Sequence, residues 1–87
     1  MKYIKSHWDE SRGDKFNYWG TSEWYFELDE DNYVTRQIEI YENGPTLKYD
    51  EDNIEDEYGG LAEKTLDLDE MEYTVMSNAD FEEIWKK

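Results

Sequence analysis

The sequence predicts an α+β fold, a small antiparallel sheet of about five strands packed against one C-terminal helix. Residues 33–42, YVTRQIEIYE, alternate with a period of two, setting Val34, Arg36, Ile38 and Ile40 against Tyr33, Thr35, Gln37, Glu39 and Tyr41. Asn43-Gly44 follows that run and is a hairpin signal, because both residues tolerate positive φ. Near the end of the chain the period changes. Phe81, Ile84 and Trp85 stand at i, i+3 and i+4 behind Ser77, which can cap a helix with Asp80 three residues on.

The remaining elements follow in order. Residues 2–8, KYIKSHW, read as a strand with Ile4 and Trp8 on one face and Tyr3, Lys5 and His7 on the other. After a polar loop carrying Gly13, residues 22–29 set Trp24, Phe26 and Leu28 against Glu23, Tyr25 and Glu27. Residues 29–32, DEDN, form a turn. Pro45 fits a tight two-residue hairpin poorly, so the loop after Tyr41 is expected to be longer, with residues 46–49 as the returning strand. Residues 50–69 are acidic and irregular, and Gly59-Gly60 permits a sharp backbone change. Met71, Tyr73 and Val75 alternate with polar neighbours over 70–76, a fifth strand. The helix ends on Lys86 and Lys87, expected in its last turn, where cations suit the dipole. Strands followed by a helix imply a sheet with one face covered by that helix.

At 87 residues the chain is a single domain, 1–87, with one core. Leu, Ile, Val and Phe make only 15 residues, which together with a net charge of −15 would suggest disorder. Four Trp and eight Tyr reverse that expectation, since each buried ring removes on the order of 150–250 Å² from water. The absence of cysteine excludes a disulfide framework, a thiolate zinc site and a cysteine nucleophile. No apolar run near the start is long enough for a signal peptide or a membrane span, so a cytoplasmic protein is expected.

The motifs together resemble a family of small uncharacterised bacterial proteins. Members open with a Met-Lys-Tyr-Ile-Lys-x-x-Trp strand. They pass through an acidic turn into a Tyr-x-x-Arg-x-[Ile/Val]-Glu-[Ile/Val]-[Phe/Tyr] strand ending in a Gly turn, and close with a Phe-Glu-x-[Ile/Val]-Trp helix. Here the matching positions are residues 1–5 with Trp8, residues 28–31, Tyr33, Arg36, residues 38–41, Gly44, residues 59–61 and residues 81–85. Residues 9–20 and 62–70 depart from the pattern. The resemblance carries no catalytic or binding residue over. It implies a bacterial protein similar to the small acidic partners that act as toxin-immunity proteins.

Catalysis finds little support. His7 is the sole histidine, and its neighbour Ser6 points to the opposite face of the strand, so the two cannot form a nucleophile–base pair. A calcium loop needs oxygen ligands at positions 1, 3 and 5 and Gly at 6. Counting from Asp50 puts Ile54 and Glu55 at positions 5 and 6; counting from Asp29 puts Tyr33 and Val34 there. Both registers fail, and no catalytic group, metal or cofactor is expected.

The charge itself is the strongest signal. Between residues 16 and 85 lie 21 acids against only Arg36, Lys48 and Lys64. The run DEDNIEDE supplies Asp50, Glu51, Asp52, Glu55, Asp56 and Glu57, followed by Tyr58, and the turn before Tyr33 adds Asp29, Glu30 and Asp31. Such a field repels nucleic acid and anionic lipid, so the expected partner is a basic protein. These ten residues are the candidate contacts, with aromatic rings as anchors. Arg36, inward with Ile38 and Ile40, is expected to be a structural ion-pair partner instead. A solvated loop that keeps the protein soluble is the plain alternative for the run. The function expected is an immunity protein that neutralises a bacterial toxin, a nuclease, by occupying its basic cleft. A nucleic-acid mimic that blocks a restriction or CRISPR nuclease fits the same charge, and a metal-binding protein or small enzyme is the reading from another class.

Overall fold

A computed structural model describes residues Met1–Lys87. Five strands, β1 (Lys2–Trp8), β2 (Ser22–Leu28), β3 (Val34–Tyr41), β4 (Thr46–Asp50) and β5 (Thr74–Val75), precede one helix, α1 (Asn78–Trp85). A 3-10 turn over Asn17–Trp19 interrupts the loop between β1 and β2. The strands form one antiparallel sheet in the order β4-β3-β2-β1-β5. This is the α+β architecture that the sequence predicts.

The fifth strand is shorter than its alternation suggests. Only Thr74 and Val75 pair, with Lys5 and Ile4. Beyond them the Ser6 hydroxyl donates to the Glu72 carbonyl at 2.8 Å, so a side chain replaces the next ladder bond. Residues 67–70 fold into a turn, in which the Glu70 N–H reaches the Asp67 carbonyl and the Asp69 N–H reaches the Asp67 carboxylate.

Both faces of the sheet are covered, where the order of elements suggested one. On the first face Tyr25 and Ile38 pack against Phe81 of α1, flanked by Tyr3, Ile40, Ile84 and Trp85. Phe81 is fully buried, a burial that contributes about 1.5–3 kcal/mol. The second face holds two clusters. Ile4, Phe26, Leu28 and Val34 lie beneath Leu61, Leu66 and Met71, while Trp19, Tyr41, Leu47 and Tyr49 lie beneath Phe16 and Tyr58. Irregular chain, residues 9–21 and 51–72, thus does on this face what the helix does on the other. Gln37, Glu39 and Tyr41 do oppose Ile38 and Ile40, yet they too are buried.

One placement changes. Alternation groups Val34 with Arg36, but the pairing skips Thr35, because Glu27 faces Arg36 and Leu28 faces Val34. This bulge turns Val34 onto the second face beside Phe26 and Leu28. The Thr35 hydroxyl donates to the Glu27 carbonyl and carboxylate and so holds the bulge.

The ends of the elements follow local chemistry. The Asp80 N–H donates to the Ser77 hydroxyl at 3.1 Å, the expected helix cap. Lys86 is the C-terminal cap and Lys87 lies beyond it, so neither sits in the last turn. The β3–β4 loop spans four residues, 42–45, longer than a two-residue hairpin. Gly44 does not adopt positive φ. It is needed because a Cβ there would lie 2.5 Å from Cγ of Trp19, whose ring packs on the bare backbone.

Candidate functional site

The two acidic turns lie at the same end of the sheet. Lys2 pairs with Leu28, Leu28 with Val34, and Arg36 with Asp50, so the start of β1, the β2–β3 turn and the exit from β4 share that end. Met1 lies between the turns. It lines a hollow of about 230 Å³ with Lys2, Asp29, Glu30 and Asn32, and another of about 310 Å³ that includes Asp50, Glu51 and Asp52.

Each turn is built by its first aspartate. The Asp29 carboxylate accepts from the Asp31 N–H at 2.9 Å and the Tyr33 N–H at 3.0 Å, and Asn32 takes the left-handed φ of 65° that closes the turn. The Asp50 carboxylate accepts from the N–H groups of Asp52 and Asn53 at 2.9 and 2.8 Å. Asp29 and Asp50 are therefore engaged with backbone, while Glu30, Asp31, Glu51 and Asp52 stand exposed. Their carboxylates ride on backbone that is already ordered.

The second half of the run turns back across the sheet. Asp56 accepts from the Tyr49 hydroxyl and from the N–H groups of Tyr58 and Gly59, at 2.9, 2.8 and 3.1 Å. Burial, and after it the bond to Asp56, raises the Tyr49 phenol above its usual range. Gly60 passes so close to the Ile54 carbonyl that a Cβ would lie 2.8 Å from it. Tyr58 packs its ring on Phe16 and Trp19 with centroids 5.2 and 5.4 Å away, so it belongs to the aromatic cluster. Among the other aromatic rings, Trp19 and Tyr49 are core, and Tyr33 is exposed at the acidic end. Glu55 and Glu57 are exposed along the way back, apart from the paired turns.

Positive charge in the middle of the chain is largely occupied. Arg36 faces inward, as its position in the alternation suggests, and forms ion pairs with Glu27 and Glu82. The bonds from Arg36 hold both carboxyls below the usual range. Lys48 donates to the Lys87 carbonyl. His7 is exposed, with Nδ1 2.6 Å from Glu23, while Ser6 bonds on the other face. No group of three or more His, Asp or Glu side chains is arranged to hold a metal ion, and no helix is long and apolar enough to cross a membrane.

A cleft that sequence reasoning missed opens on the second face, toward the opposite end of the strands. Its volume is about 490 Å³; Trp8, Trp24, Phe26 and Tyr41 line it, together with Glu39 and Arg12. Glu39 is only 4% exposed. Its carboxylate accepts from the Tyr41 hydroxyl at 2.5 Å and from Gln37 Nε2 at 2.8 Å. Burial raises this carboxyl above its usual range. The signal was in the pairing: if Tyr25 meets Ile38 on the helix face, then Trp24 must meet Glu39 on the other.

Comparison with protein-family models, curated proteins and solved structures finds no match to this chain.

Proposed function

We propose that this chain is an acidic inhibitor of a basic protein, and more narrowly an immunity protein that occupies the basic cleft of a nuclease toxin. The observation that carries the reading is the convergence of two backbone-ordered turns at one sheet end, presenting Glu30, Asp31, Glu51 and Asp52 to solvent. A nuclease needs lysine and arginine to neutralise phosphates, so its empty cleft is a positive surface. Because the turns are already ordered, binding such a surface costs side-chain freedom but little further backbone entropy. The net charge of −15 steers the encounter, and the exposed Tyr33 offers an aromatic contact beside the acids.

The test compares the parent chain with a variant carrying Glu30→Gln, Asp31→Asn, Glu51→Gln and Asp52→Asn, leaving Asp29, Asp50 and Asp56 in their turns. Both are immobilised and exposed to a lysate of the source cells. The expected result is a basic nuclease retained by the parent, released by salt, inhibited at a fixed stoichiometry and lost by the variant. Identical retention by the two chains would refute the reading.

A further inference from the structure

Two carboxylates are buried in this sheet, one on each face, and they are treated differently. Glu27, 8% exposed on the helix face, is paired with Arg36. Glu39, 4% exposed on the other face, has no cation within ion-pair distance. A buried carboxylate without a cation is costly, and here it lies at the floor of an open cleft walled by aromatic rings.

We infer that this cleft receives one arginine side chain of the basic partner, which stacks against Trp8 and Trp24 and pairs with Glu39. The inference rests on the proposed function for the partner's character, but it concerns a second contact, distant from the acidic turns. Each Glu39 oxygen already accepts one hydrogen bond and retains capacity for another, an arrangement that suits the two parallel donors of a guanidinium. The walls suit it as well, because a planar, weakly hydrated guanidinium stacks on rings where an ammonium keeps its water. Trp24 is held in place by its indole N–H, which donates to the Ser22 hydroxyl at 2.7 Å. Trp8 is 52% exposed and lines the cleft, leaving ring surface open to a guest.

The rim shows the same chemistry within the chain. The Arg12 guanidinium lies 5.3 Å from the Trp19 ring centre and 5.7 Å from that of Tyr41. Two of its donors bond Asp14 at 3.2 Å and the Tyr58 carbonyl at 2.6 Å. Although its charge is felt at Glu39, it forms no ion pair with that carboxylate, whose place for a directly bonded cation stays open. Trp8 and Trp24 also line an adjoining hollow of about 460 Å³ that contains Glu70 and Glu72, adding negative potential beside the entrance.

The test is an NMR titration with N-acetyl-arginine-N-methylamide, following the indole N–H signals of Trp8 and Trp24. Saturable shifts are expected at both. The citrulline counterpart, equal in shape but uncharged, should bind roughly tenfold more weakly or worse. The lysine counterpart should also bind more weakly. Glu39→Gln should abolish the preference for arginine over citrulline. Trp8→Ala, at an exposed position, should weaken binding with the fold intact and carries the test if Glu39→Gln does not fold. The variant with four neutralised turn acids should keep the cleft shifts, which separates this inference from the fate of the acidic end. Equal binding of arginine and citrulline, equal binding of lysine, shifts confined to the acidic turns, or no saturable shift would each overturn it.

Discussion

Arg36 on β3 grips Glu27 on β2 through two parallel bonds, Nε to Oε1 at 3.0 Å and Nη2 to Oε2 at 2.6 Å. The same guanidinium reaches Glu82 on α1 and lies 5.0 and 5.1 Å from the ring centres of Phe81 and Trp85. One side chain thus ties the helix to the sheet while compensating a buried carboxylate.

Replacing Arg36 with Met should therefore cost roughly 3 kcal/mol, the lower end of the range for breaking a buried pair, because the site is partly open to water. In a domain of this size that lowers Tm by on the order of 10 °C or more. Adding Glu27→Gln should recover part of the loss, since the orphaned charge is removed. A single variant that melts within a degree or two of the parent would contradict this role.

The two buried carboxylates pull stability in opposite directions with pH. Burial raises Glu39 above its ordinary value of 4.5, so the folded protein holds that proton more tightly than the unfolded chain does. Its contribution is fully present below the unfolded value and is lost as pH rises through the raised one. Bonds from Arg36 lower Glu27, so its contribution is present above the unfolded value and is lost as pH falls through the lowered one. Tm should peak in acidic solution, between the lowered value of Glu27 and the raised value of Glu39, and decline as pH rises through the latter. Glu39→Gln should flatten the decline. A Tm that climbs steadily from pH 5 to about pH 8 would show the sign to be wrong.

Salt should stabilise the chain. Its side-chain ion pairs involve only His7, Arg12 and Arg36, and no lysine is within ion-pair distance of an aspartate or glutamate, against a net charge of −15. Self-repulsion then dominates, and screening at about 8 Å in 0.15 M salt relieves it. Melting curves at increasing NaCl should shift upward. A flat or falling series would mean the charges are compensated within the fold.

Much of this architecture was legible because it depends on local patterns. The alternation in 33–42, the Ser77 cap and the Phe81, Ile84, Trp85 spacing specify strand and helix without reference to distant chain. What escaped depends on pairing. The bulge at Thr35 exists only against Glu27 and Leu28, and β5 is cut short by a bond between Ser6 and Glu72, 66 residues apart. The acidic run hides a similar division. Asp50 and Asp56 look like Glu51 and Glu57 in a count of charge, yet the short aspartates reach back to their own backbone while the glutamates do not. Glu39, between two isoleucines, reads as a solvent-facing residue until the second layer of irregular chain is known.

The claim that the acidic sheet end is a binding surface is tested most directly by affinity for the captured basic partner at low and physiological salt. The parent and the variant neutralised at Glu30, Asp31, Glu51 and Asp52 are measured side by side, with melting curves for both. The account predicts a variant at least as stable as the parent that binds more weakly, chiefly through a slower on-rate, with a shallower salt dependence. Unchanged affinity and an unchanged salt slope in a folded variant would contradict it and leave the turns as solvated loops.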